Sequence, residues 1–129
     1  MYGLPKDFNC GRLVGKFLVQ VCFGLCQVQL HFDPDKPSSN EPNLKIFITG
    51  KTLYRDSATS EVKVIDFPAA PAVYSELLKL LHHTTVHVFG DNEGTLTLEF
   101  DDGQILQCLD DNPAYEAYEI RLGGELIIV

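Results

Sequence analysis

Residues Phe17 to Phe32 read FLVQVCFGLCQVQLHF. Apolar and polar side chains alternate on both sides of Gly24-Leu25, the pattern of an antiparallel hairpin with one wet face. Gly at the first central position suits a two-residue type II′ turn. That turn sets Phe23 opposite Cys26, Val21 opposite Val28, Val19 opposite Leu30 and Phe17 opposite Phe32. These apolar residues share one face, while Leu18, Gln20, Cys22, Gln27, Gln29 and His31 share the other. A slip of one residue would mix the two faces, so the pattern selects its register. Cys22 and Cys26 then point to opposite faces, which rules out a shared metal ion or a disulfide within the hairpin. Cys26 reads as a small core residue and Cys22 as a residue of the wetter face.

Around the hairpin, Met1 to Gly11 reads as a short lead-in, partly mobile. Asp33 to Asn43, with three Pro among Ser, Asn and Asp, reads as an exposed loop. Leu44 to Gly50 is a third strand with Leu44, Ile46 and Ile48 inward, which Leu53 and Tyr54 extend. Glu61 to Phe67 is another strand, with Val62, Val64 or Ile65 in the core. Over Ala72 to His83, Val73, Leu77, Leu80 and Leu81 recur at helical spacing, and so do Tyr74, Leu77, Leu78 and Leu81. Pro71 falls near the first turn, where a missing N–H costs nothing.

A second run of strands follows, over Val86 to Gly90, Leu96 to Phe100 and Ile105 to Leu109. Asp101-Asp102-Gly103 is the turn between the last two. Either Ile105 or Leu106 suits the core, so the register there stays open. A final hairpin turns at Gly123-Gly124, setting Ile120 against Ile127 and Tyr118 against Val129. These readings predict one domain over residues 1–129 of the α+β class: mainly antiparallel hairpins with one amphipathic helix at 72–83 on a sheet face. A partly closed β-barrel with a helix plug is the alternative. VCFG…VQLHFDPD, from Val21, echoes VFG…LTLEFDDG, from Val88. A duplicated half-fold would produce such an echo, but so would any two amphipathic hairpins.

The chain has 129 residues, 45% of them hydrophobic, enough for one real core. MYGLPKDFNCGR lacks the basic segment and apolar run of a signal peptide. Lys16, Gln20, Gln27 and Gln29 interrupt the apolar stretch Leu13 to Leu30 at strand spacing, which excludes a membrane helix. Without a secretion signal, Cys10, Cys22, Cys26 and Cys108 read as reduced thiols of a cytoplasmic protein. Residues 1–65 hold eight Lys/Arg and six Asp/Glu; residues 66–129 hold two and twelve, so +2 and −10 give the net −8. The acidic second half argues against nucleic acid or an anionic membrane as partner. It suits a basic protein partner or plain solubility.

Motifs of chemistry are sparse. His82, His83 and His87 form the one local His cluster, and His83 and His87 have the i, i+4 spacing of a helical zinc pair. Thr84, Thr85 and Val86 favour leaving a helix there, and no Glu follows the first His. His31 and Asp33 lie near Cys26, but the hairpin register puts His31 and Cys26 on opposite faces, against a Cys-His relay. Asp101, Asp102, Asp110 and Asp111 suggest a pair of acidic loops at one end of the second hairpin, as a cation site, catalytic carboxylates, a docking surface for a basic protein or solvated turns. No Gly-rich phosphate loop, Gly-x-Ser-x-Gly or Cys-x-x-Cys is present, and no cofactor is indicated.

Gly15, then Gln20-Val21-Cys22-x-Gly24, then Gln27 to Asp33, resembles the N-terminal signature of a family of small bacterial proteins catalogued as a domain of unknown function. Tyr118-x-Ile120-x-Leu122-Gly123-Gly124-x-x-Ile127-Ile128-Val129 is similar to the family's C-terminal strand pair. The resemblance implies a bacterial, stand-alone domain and brings no activity or catalytic residue.

The leading functional expectation is a non-enzymatic interaction domain, in one version an acidic immunity or inhibitor protein using Asp101, Asp102, Asp110 and Asp111. The alternative is a ligand-binding or enzymatic domain with a pocket between sheet and helix, carrying His31 or His87. A homo-oligomer paired through exposed strand edges is a third.

Overall fold

The structure is a computed structural model and describes residues 3–36, 40–66, 75–112 and 114–129. Two five-stranded antiparallel sheets make up the fold. The strands are β1 (Lys16–Phe23), β2 (Val28–Pro34), β3 (Leu44–Ile48), β4 (Thr52–Arg55), β5 (Val62–Ile65), β6 (Thr85–Gly90), β7 (Leu96–Phe100), β8 (Ile105–Cys108), β9 (Tyr118–Leu122) and β10 (Glu125–Ile128). The first sheet runs β1-β2-β3-β9-β10 and the second β5-β4-β8-β7-β6. Their inward residues share one hydrophobic core, in which Phe32 of β2 stacks on Phe100 of β7 with ring centres 6.5 Å apart.

The expected α+β class is corrected by this architecture. Among the described residues there is no α-helix. Of the segment 72–83, Ser75–Leu80 forms a 3₁₀ helix, and residues 72–74 lie outside the described residues. Leu77 and Leu80 are three apart, a spacing that a 3₁₀ helix stacks on one side, and both are fully buried. His82 then adopts the left-handed region at φ 68°, which ends the helix before β6. The two sheets also do not close into a barrel with a plug. No helix among the described residues is long and apolar enough to cross a membrane.

The first hairpin forms, with a different register from the one its sequence suggested. The connection spans four residues, closed by Gly24 N–H donating to the Gln27 carbonyl at 2.7 Å. Phe23 therefore faces Val28 and Val21 faces Leu30. A bulge at Val19 follows, after which Leu18 faces Phe32. Val28, Leu30 and Phe32 point inward as expected, but the bulge turns Leu18 and Lys16 inward in place of Val19 and Phe17. An extra residue reverses the alternation of everything beyond it. Cys26 sits exposed in the turn and is not a core residue; all four cysteines are free thiols.

In the second sheet Leu98 faces Leu106, so Leu106 is the core residue and Ile105 points outward. Ile120 faces Ile127, and Tyr118 and Val129 exchange backbone hydrogen bonds, both as expected. The lead-in is held from Gly3 onward: Leu13 is buried, and Leu4, Phe8 and Cys10 pack on the core.

Each half of the chain contributes a 3₁₀ turn, a three-stranded meander and a hairpin. The turn Cys10–Leu13, meander β1-β2-β3 and hairpin β4-β5 match Ser75–Leu80, β6-β7-β8 and β9-β10. Each meander is completed by the other half's hairpin: β3 pairs with β9, and β8 with β4. Both first strands carry a bulge, at Val19 and at Val86. Gly15 at φ 77° occupies the position that His82 occupies at φ 68°. The echo of residues 28–35 in residues 96–103 is thus a true structural correspondence, with Phe32 and Phe100 stacked across it.

Candidate functional site: an acidic corner between the sheets

The two first strands meet at a corner. Phe17 and Thr84 form an antiparallel bridge. Gly15 N–H donates to Thr85 O at 2.9 Å, and His82 N–H to Leu18 O at 2.8 Å. Because each meander leads its second strand back to this corner, the ends of β2 and β7 lie side by side. The first brings Asp33 and Asp35, the second Asp101 and Asp102. Thr84 links them: its hydroxyl donates to Asp35 Oδ1 at 3.4 Å, and its carbonyl accepts from the Asp101 N–H at 2.9 Å.

Beside this contact runs an open groove of about 580 Å³, lined by Phe17, Val19, Asp33, Pro34, Asp35 and Glu41 with Asn43. The Phe17 ring stacks on His82 at 6.0 Å. Lys16 is buried beneath the groove, its ammonium donating to the Pro42 carbonyl at 2.9 Å and standing 3.4 Å from Glu41. That cation offsets Glu41 from inside, while Lys36 follows Asp35 on the surface.

His83 is held between two carboxylates. Nδ1 is 2.8 Å from Asp101 Oδ1, and Nε2 is 3.4 Å from Asp102 Oδ2. Asp102 is itself fixed, because Oδ2 accepts from Gln104 Nε2 at 2.7 Å and Oδ1 from the Gln104 N–H at 3.2 Å. Gln104 is buried; its Nε2 also donates to the Lys79 carbonyl at 2.9 Å, and its Oε1 accepts from the Tyr54 hydroxyl at 2.5 Å. Burial and then the nearby Asp56 carboxylate push the Tyr54 hydroxyl up to about 12. Lys79 lies between Glu76 at 2.7 Å and Asp56 at 3.3 Å, and Lys63 reaches Glu76 at 2.8 Å. Each nitrogen of His83 thus faces an acid, an arrangement that orients the ring.

The four Asp singled out from sequence do not form one patch. Asp101 and Asp102 precede β8, and Asp110 and Asp111 follow it, so they occupy its opposite ends. Asp110 is buried: Oδ2 accepts from the Gly3 N–H at 2.9 Å, and Oδ1 has no hydrogen-bond partner among the described residues. Asp111 pairs with Lys51 at 3.4 Å. It lines an open cleft of about 1020 Å³ together with Cys26, Lys51, Asp66, Tyr115 and Glu116 among others.

Neither His31 nor His87 lines that cleft. His31 lies on the outer face of the first sheet, hydrogen-bonded to Gln29 at 3.1 Å, and burial followed by the Lys45 charge lowers its pKa. His87 lies on β6 beyond the bulge, its ring 6.1 Å from Phe89, and it shares no contact with His83 that would make a zinc pair.

Sequence reading missed Asp35, Glu41, Thr84 and Gln104. The signal for Asp35 was present in the echo FDPD against FDDG, which sets the ends of β2 and β7 in equivalent places. Glu41 carries no such signal, since only the folded loop brings it to the corner. Gln104, though two residues from Asp102, is locked by Tyr54 and the Lys79 carbonyl only in the folded chain. No family model, no curated protein and no solved structure matches the chain.

Proposed function

We propose that the chain is a non-enzymatic binding protein that presents the acidic corner to a basic protein partner. The observation that carries this reading is the gathering of Asp33, Asp35, Glu41, Asp101 and Asp102 around Thr84 and the half-buried ring of Phe17. Carboxylates beside an aromatic ring give such a surface both steering and a contact of substance. An immunity or inhibitor role in a bacterial cytoplasm fits this surface and the free thiols. The resemblance of Gly15 to Asp33 to small bacterial proteins belongs to the same proposal.

Capture of a basic protein from native extract at low salt, with release at high salt, is the expected result. The double charge reversal Asp35→Lys, Asp101→Lys slows association with that protein by about tenfold at low ionic strength. Unchanged association in the double variant overturns the proposal.

The cleft around Tyr115 favours a second reading, a small-ligand site walled by Lys51, Asp66 and Asp111. Ligand-induced shifts confined to Tyr115 and Lys51 in a spectroscopic screen would support it; a screen that moves neither residue counts against it.

A further inference from the structure

Within the corner, one pair of atoms is spaced for something larger than a proton. His83 Nε2 and Asp102 Oδ2 stand 3.4 Å apart. Well-formed N–H···O bonds are about 2.7–3.2 Å long. Two ligands placed about 2.0–2.1 Å from a tetrahedral ion stand about 3.4 Å from one another. We propose that His83 and Asp102 bind a divalent transition-metal ion of the zinc type through Nε2 and Oδ2. The site shares Asp101 and Asp102 with the docking surface, but its test reads ion binding alone.

Three further features match such a site. The opposite nitrogen, Nδ1, faces Asp101 Oδ1 at 2.8 Å, a partner for an Nδ1–H when the Nε2 lone pair is given to the ion. A carboxylate behind a ligating imidazole is the usual outer support of a metal-bound His. The second ligand is supported as well, since Asp102 Oδ2 accepts from Gln104 Nε2 at 2.7 Å and keeps a lone pair for the ion. Gln104 is in turn locked by Tyr54 and the Lys79 carbonyl, so the outer layer is rigid. Asp101, Asp102 and His83 each place a ligand atom within 4.8 Å of the others. The imidazole selects zinc-type ions over magnesium or calcium, which prefer all-oxygen sets. With two protein ligands and water in the remaining positions, binding is weaker than at a closed structural site.

The test follows the imidazole nitrogens of the full chain by NMR while zinc is added, in a Cys26→Ser background that removes the exposed thiol. The expected result is a saturable shift at His83 Nε2, unaffected by excess magnesium. Asp102→Asn keeps an oxygen for Gln104 and abolishes the shift, while Asp101→Asn weakens it. A His83 signal that stays unmoved by zinc, or that moves equally in Asp102→Asn, overturns the proposal. Spectra of the metal-free variants report folding separately from binding.

Discussion

The two halves of the chain share one backbone plan and differ in what they hang on it. Inward positions are filled alike: Leu30 and Leu98, Phe32 and Phe100, Leu13 and Leu80 are all buried. Outward positions diverge, with a net +2 in residues 1–65 and −10 in residues 66–129. The left-handed residue before the first strand is Gly15 in one half and His82 in the other. Packing constrains the inward set because interiors are close-packed. Solvent leaves the outward set free, and the two halves also differ where the Gly15–His82 correspondence matches buried Lys16 with His83 of the acidic corner.

The strongest way to break the equivalence is at the stacked rings. Phe32→Ala and Phe100→Ala should each cost about 3–5 kcal/mol. Because each sheet contains strands from both halves, denaturant melting followed by NMR should report one transition for both halves. One half melting ahead of the other would show that the interchange of hairpins does not couple them.

Glycines give the next test. A Cβ on Gly94, at φ 85°, would stand 2.7 Å from Asp110 Oδ2, whereas one on Gly15 would meet nothing within 4 Å. Gly15→Ala should therefore cost about 1–2 kcal/mol, the backbone penalty alone, and Gly94→Ala more. His82→Gly relieves the same penalty but loses the stack on Phe17, so its effect should be the smallest of the three. Equal losses for Gly15→Ala and Gly94→Ala in urea melts would contradict the crowding at Asp110.

At high pH the buried hydroxyls and thiol matter. Burial pushes Tyr54 and Cys108 up to about 12, and Tyr118 upward as well. A raised acid is kept neutral by the fold, so its contribution is complete below its ordinary value and lost as pH climbs through the raised one. Stability should fall from about pH 9 towards pH 12, and Tyr54→Phe should flatten part of that fall. An identical slope in the variant would remove Tyr54 from the account.

The smallest expected effect compares the two basic residues of the 3₁₀ turns. Arg12 pairs with Glu125 at 2.8 Å on the surface, while Lys79 engages both Glu76 and Asp56. Those acids have lowered pKa values, by hydrogen bonds from Arg12 for Glu125, from Lys63 and then Lys79 for Glu76, and from the Ala58 N–H and then Lys79 for Asp56. Their stabilisation is present above the ordinary carboxylate range and lost as pH falls through the lowered values. Lys79→Ala should lower the melting temperature more than Arg12→Ala at pH 7, and the gap should close in acid and at high salt.

Much of the strand content was legible because alternation reports a half-buried sheet directly. β3, β7 and the final hairpin, with Ile120 on Ile127, follow from it. The helix at 72–83 misled because leucines three and four apart satisfy either helix. At Ser75–Leu80, left-handed His82 and the β-branched run Thr84 to Val86 end the segment early. The turn at Gly24 misled for a related reason: a two-residue displacement keeps every side chain on its face, so alternation cannot tell the two registers apart. The bulge at Val19 left one mark in the pattern, Leu18 among the mostly polar residues of the wet face.

By itself, then, the sequence determined the inward faces of β2, β3 and β7, the turns at Asp101-Asp102-Gly103 and Gly123-Gly124, and the uneven charge, because these depend on neighbours a few positions away. Only the tertiary structure decided which hairpin completes which sheet, and so brought Asp35 beside Asp101 and Tyr54 and the Lys79 carbonyl onto Gln104. Those meetings depend on how two twisted sheets share one core, a condition that no local stretch of the chain encodes.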